Sequence, residues 1–203
     1  MEEKVKRKED KKKRRQKRTP SAEYFLIASE GKETEKNYFT YLKNKIVEEK
    51  TLSNDKIDLP LFQIEGVGMI GERLIDEAEK YFRRTPRQYK YKWLVFDKDD
   101  LSSNDFHRLI EMAESRGFRV AWSNECFELW LVLHFEFLNT GVTRDQYITK
   151  LDKHLQDRGL ATGYKKSDHA VFDFTFELTE VTLKNAENLN KQQGTEGNHT
   201  PSS

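Results

Sequence analysis

The stretch WLVFDKDD, residues 93–100, places Asp97, Asp99 and Asp100 within four positions at the end of an apolar run. Like charges this close repel one another, so the cluster is either a solvated turn or a seat for a cation. In extended chain, residues two apart point to the same side, which aligns Asp97 with Asp99 and turns Lys98 away. Two such carboxylates suit a hard divalent ion. Mg²⁺ takes only one or two protein carboxylates, keeps several waters and leaves room for phosphate. Glu30 follows a second apolar run, in YFLIASEG. If the two runs are neighbours in a parallel sheet, Glu30, Asp97 and Asp99 meet at its carboxyl edge, where such sheets bind ligands.

The rest of the sequence has to build that sheet. The short apolar runs at 24–29, 56–66, 92–97 and 118–123 read as strands, with Pro60 marking an edge or an irregular start. Between them lie helical patterns. Tyr38, Phe39, Leu42 and Ile46 recur at helical spacing after a candidate cap at Thr34, and Leu74, Ile75, Ala78 and Phe82 share one face of another helix. DFHRLIEMAESRG ends in Gly117, the usual residue just beyond a helix. Strands separated by helices need crossover connections. The expectation is therefore an α/β fold with a mostly parallel, four-stranded, Rossmann-like sheet flanked by helices. FELWLVLHFEFL (127–138) is apolar nearly all round and is expected as a buried helix opened by Ser123 or Asn124. TRDQYITKLDKHLQDRG and FTFELTEVTLKNAENLN add a helical C-terminal part.

Composition sets the surroundings. Hydrophobic and charged residues each make up 35% of the chain, so a compact core must sit under a very polar surface. The net charge of +1 hides an asymmetry, because residues 1–18 hold 11 Lys or Arg against 4 Asp or Glu. Residues 1–20 are expected to form a disordered basic arm, residues 21–189 the folded domain and residues 190–203 a polar tail. A basic arm on an acidic body suits a polyanion such as nucleic acid. Cys126 is the sole cysteine, which rules out an intrachain disulfide and a cysteine-built zinc cage. No apolar run approaches the roughly 20 residues of a membrane span, and none precedes residue 24 to act as a secretory signal. A cytoplasmic protein without a membrane partner is the expectation.

Other residues are candidates with competing readings. Glu128 lies on an apolar stretch, where an unpaired charge is costly, so it must find a cation, a metal or helix-end amides. His134 shares a helical face with Phe127 and Trp130, as either a buried hydrogen-bonded histidine or a proton shuttle. Lys32, and Lys165 with Lys166 in GYKKSD, are candidate phosphate-binding cations, against the plainer reading of solvated charges. GVGMIG (66–71) lacks the Lys-Ser/Thr of a phosphate-binding P-loop and reads as a structural turn.

An acid-glycine pair after the first strand and Asp-x-Asp after the third resemble the Toprim domain. EGKETEKNYF (30–39), FDKDD (96–100) and SNECFELWLVLHFE (123–136) together resemble the RloB family, a Toprim-like group of bacterial defence loci. The resemblance covers roughly residues 24–185, and the third motif is its most specific part. It implies a metal-dependent nuclease centre, with Glu30 as general acid/base and also near the metal. Asp97 and Asp99 would hold Mg²⁺ or Mn²⁺, and Glu128 would be an additional catalytic acid. It also implies an effector of anti-phage or abortive-infection systems, acting on DNA or RNA, tRNA included, beside an AAA-type ATPase partner. The sequence departs from the pattern at Lys32, where an acid is common, and at Glu125, where proline is usual. A non-catalytic subunit that binds nucleic acid or a partner remains the alternative, since one fold hosts many functions.

Overall fold

A computed structural model describes residues 23–52, 60–84, 88–166 and 170–194. The expected basic arm and most of the C-terminal tail lie outside the described residues, as does the start of the expected second strand.

Four strands form one parallel sheet: β1 (Tyr24–Ser29), β2 (Leu61–Gly66), β3 (Tyr91–Asp97) and β4 (Arg119–Ser123), in the order β2-β1-β3-β4. Their sequences explain the arrangement. Leu26 and Ala28 of β1 and Leu94 and Phe96 of β3 are at most 2% exposed, because both strands are central and covered on both faces. β2 and β4 are the edges, and Pro60 directly precedes the edge strand β2, where its missing N–H is tolerated.

The helices are α1 (Thr34–Leu52), α2 (Glu72–Arg84), α3 (Ser103–Ser115), α4 (Glu128–Val132), α5 (Arg144–Asp157), α6 (Ala170–Thr175) and α7 (Thr179–Gly194). Leu74, Ile75 and Ala78 of α2 join Phe106, Leu109 and Ala113 of α3 in a core on one side of the sheet. Tyr38 of α1, the apolar residues around α4, and Tyr147, Leu151 and Leu155 of α5 form a second core. Alternation along β3 divides the strand between them, with Leu94 and Phe96 facing the first core and Val95 the second. α3 opens with a hydrogen bond from the Asp105 N–H to the Ser102 hydroxyl (3.1 Å) and closes before Gly117, whose φ of +77° suits glycine.

Two expectations change. The stretch 127–138 is not one helix: α4 covers only Glu128–Val132 and begins after Phe127 rather than at Ser123 or Asn124. The following turns use tighter bonds, such as Phe135 N–H to the Val132 carbonyl (2.8 Å). A run that is apolar on every side carries no period to separate a helix from packed turns, and both bury Leu131, Val132 and Leu133 completely. At the other end, the helix α7 continues to Gly194, into the stretch 190–203 that was expected as a tail.

Candidate functional site

Strand order decides where a ligand can sit. β1 leads through α1 to β2 on one side, and the chain then returns past β1 to build β3 on the other. The crevice between the carboxyl ends of β1 and β3 is the topological switch point, where open α/β sheets place their ligands. Glu30 follows β1 and Asp97 ends β3, and the two strands are hydrogen-bonded neighbours.

Both acids line one cleft of about 410 Å³, together with Glu35, Asp99 and Glu128, and with Lys32, Arg144 and Lys166 as cations. The local chain explains each position. The Glu30 N–H donates to the Val95 carbonyl (2.8 Å), which ties the acid to β3, and its carboxyl faces the Asp97 N–H. The glycine turn after β2 braces the same loop, with Gly68 N–H donating to the Glu30 carbonyl (2.8 Å). A Cβ at Gly66 would stand 2.7 Å from the Lys32 carbonyl oxygen, so this close approach requires glycine. The glycine run is thus a structural turn that holds Glu30.

Asp99 departs from the sequence expectation. Its φ is +43°, so β3 stops at Asp97 and the next residues turn; Asp97 and Asp99 are not same-side neighbours in extended chain. They share the cleft for another reason. Lys98 N–H donates to the Ser123 carbonyl (2.8 Å), and Asp99 N–H to the Glu125 carbonyl (3.3 Å), which folds the turn against the chain leaving β4. Arg144 pairs with Asp99 through one guanidinium nitrogen that also lies 4.0 Å from Asp97 Oδ2. Glu125, the residue at the unusual position, accepts the backbone N–H of Arg144 (2.8 Å) and so anchors the start of α5.

Glu128 is 2% exposed and has found a cation and a hydroxyl donor. Its Oε1 accepts the Tyr164 hydroxyl (3.0 Å) and lies 3.5 Å from Lys166 Nζ. Burial and the adjoining Glu128 also push the Cys126 thiol up to about 12, so it is a protonated core group rather than a nucleophile.

Two participants carried no signal that sequence reasoning used. Glu35 looked like an ordinary first-turn acid on α1, yet it is 6% exposed and lines the cleft. A side chain at Gly31 would collide with the Glu35 carboxylate, so the glycine after Glu30 makes room for a further acid. Arg144 stood among many charges on α5; only the turn geometry around Asp99 brings it in. Of the other candidates, Lys32 and Lys166 reach the cleft, whereas Lys165 is exposed and does not line it. His134 does not line it either. Its ring is buried against Tyr38 and Trp130, Nδ1 lies 2.9 Å from the Trp130 carbonyl, and Nε2 meets no partner among the described residues. Burial lowers its pKa to about 4, which keeps the ring neutral.

The electrostatics follow from crowding. Burial, offset in part by the Asp97 N–H, and then the charges of Asp99 and Glu35 raise the Glu30 carboxyl to about 7. Burial first, then Glu35, Glu30, Asp99 and Glu128 raise Asp97 to about 8. Glu35 is raised as well, chiefly by burial. The cluster is therefore partly protonated near neutral pH when no cation beyond the protein's own lies among the acids. Among the described residues no group of three or more His, Cys, Asp or Glu stands ready to enclose a metal ion. The donor set does fit a hard divalent ion in kind, since it consists of carboxylate oxygens whose mutual repulsion such an ion would relieve.

A family model described as RloB-like protein matches residues 25–203. No curated protein and no solved structure matches. No helix among the described residues is long and apolar enough to cross a membrane.

Proposed function

We propose a function from one premise: the chain belongs to the RloB-like family, whose model covers most of it. The cleft at the β1–β3 switch point is a phosphodiester-cleaving centre of Toprim type that works with Mg²⁺ or Mn²⁺ on nucleic acid. The observation that carries this reading is the gathering of Glu30, Glu35, Asp97, Asp99 and Glu128 in one cleft rimmed by Arg144, Lys166 and Lys32. The gathered acids suit a divalent ion, and the cations beside them suit the phosphates on either side of the bond to be cut.

Asp97 and Asp99 would hold the ion, with Glu30 beside them. When bound, the ion supplies charge neutralisation at the phosphoryl oxygens and a more acidic water. Glu30, which would lose its own proton once the ion lies beside it, takes the proton of the attacking water. The water oxygen bonds to phosphorus, the bond from phosphorus to the leaving sugar oxygen breaks, and that oxygen regains a proton. Glu128, held by Tyr164 and Lys166, fixes the loop at 164–166 and so places Lys166 at the rim. Arg144 must give up part of its hold on Asp99 for an ion to enter, after which its guanidinium can face a phosphate.

The family resemblance supports a cytoplasmic effector of a bacterial anti-phage or abortive-infection system, coupled to an AAA-type ATPase. The Arg144 ion pair also favours a second reading. If Arg144 stays on Asp99 and Asp97 as their permanent counter-ion, the chain is a non-catalytic subunit that binds nucleic acid or a partner. Incubating the full chain with labelled DNA and RNA, with and without Mg²⁺ or Mn²⁺, separates the two. Metal-dependent cutting that Asp97→Ala abolishes supports the nuclease. Binding without cutting under every metal condition supports the second reading.

A further inference from the structure

A second pocket, of about 480 Å³, adjoins the acidic cleft. Phe127 lines both, and Ser123, which lines the second, is the register partner of Asp97 at the end of β3. The character of the wall changes abruptly across Phe127. Glu, Asp, Lys and Arg dominate the cleft, whereas among the described residues no charged one lines the pocket. Phe39, Phe127 and Trp130 supply aromatic surface, with the Phe39 and Phe127 rings 6.2 Å apart. Thr179, Leu183 and Asn190 of α7 close the other side, so a few polar groups accompany an apolar lining, as in sites for small planar ligands.

We infer that this pocket receives an unpaired nucleobase of the substrate, so the chain acts on single-stranded or extruded nucleotides rather than on stacked duplex. The inference rests on the reading of the acidic cleft as the phosphodiester site. A nucleotide is itself divided into a charged phosphate and a neutral, flat, aromatic base. A site whose charged and aromatic parts adjoin at a single shared residue matches that division in chemistry and in the adjacency of its two parts. Bases inside a duplex are stacked and paired, so none can enter a pocket beside the backbone site without leaving the helix. Aromatic side chains that stack on free bases bind any base, because each has a π-face. The same pocket would then favour single strands with little sequence preference.

The test measures binding of the full chain in EDTA by fluorescence anisotropy, where nothing is cut. The probes are a short oligothymidine, a fully abasic strand of equal length and charge, and a blunt duplex. Loss of base stacking should weaken binding by about 5- to 150-fold, so the oligothymidine must exceed the abasic strand by a factor in that range, and exceed the duplex too. Leu183 is half exposed, so Leu183→Trp can fill the pocket without disturbing the core, and it should erase the preference. Phe39→Leu, which removes an aromatic face, should reduce it independently if the first variant proves unstable. Equal binding of oligothymidine and abasic strand overturns the inference, as does a preference that both variants leave intact. Self-association abolished by Leu183→Trp would assign the pocket to a second copy and overturn it as well. A base preference without metal-dependent cutting would sink the nuclease reading and leave the pocket assignment standing.

Discussion

Replacing Asp97 by Asn should stabilise the metal-free protein, and should do so increasingly as pH rises. Asp97 has a side chain only 15% exposed, and burial together with four neighbouring carboxyls raises its pKa from 3.8 to about 8. The sign follows from linkage. Below about pH 4 the group is protonated in both folded and unfolded chains and carries no penalty. As pH rises from there, the unfolded chain releases the proton while the folded chain keeps it, so stability falls until pH passes about 8. A change of that size corresponds to a ceiling of about 6 kcal/mol. Water in the open cleft and the partial screening by Arg144 reduce it, leaving an expected gain of about 1–3 kcal/mol for Asp97→Asn at pH 8.5. For a chain of this size that is roughly 3–10 °C in Tm. Scanning calorimetry in EDTA from pH 5 to 9 would read it, with wild type falling steeply and the variant falling less. The variant keeps the shape of the side chain, so a Tm below wild type at every pH would mean that Asp97 is a paired structural charge. That result would refute the reasoning about crowding.

Further outcomes follow from the same geometry. Tyr164→Phe leaves the buried Glu128 without its hydroxyl donor and should lower stability by about 1–3 kcal/mol, read as a shift in denaturant midpoint. Gly31→Ala should push Glu35 out of the cleft, and the proposed metal-dependent cutting should drop while far-UV circular dichroism stays unchanged. Arg144→Ala removes a competitor for Asp99 and should tighten Mn²⁺ binding by about 3- to 10-fold while weakening affinity for oligonucleotides. Deleting residues 1–18 should flatten the salt dependence of nucleic-acid binding, by about 0.7 to 0.9 in log–log slope for each phosphate that the arm neutralises. An unchanged slope would show that the arm touches no phosphate.

The sheet was legible because its strands end in chemistry. β1 and β3 are short, apolar and followed at once by acids, and the parallel crossover rule then brings Glu30 and Asp97 to one edge. What sequence could not give was anything set by turns. Asp99 was expected beside Asp97 by strand alternation, but the chain leaves the strand at Asp97, and Asp99 reaches the cleft through a turn held by Glu125 and Arg144. The helix expected over 127–138 failed because an all-apolar stretch has no polar face to mark its period, and only its first turns are helical. Glu35 stayed hidden because a first-turn acid on a helix has an ordinary explanation in the helix dipole. Its burial depends on the missing side chain at Gly31, a tertiary fact.

The central claim is that the carboxylates around Asp97 form a seat for one divalent cation, and calorimetric titration of the full chain with Mn²⁺ tests it most directly. The account predicts a single site per chain, with release of protons at pH 7 because Asp97 largely, and Glu30 in part, still hold them there. It also predicts that Asp97→Asn abolishes both the binding heat and the proton release. Binding that survives Asp97→Asn with the same stoichiometry and proton release, or no saturable binding by the wild-type chain, would contradict it.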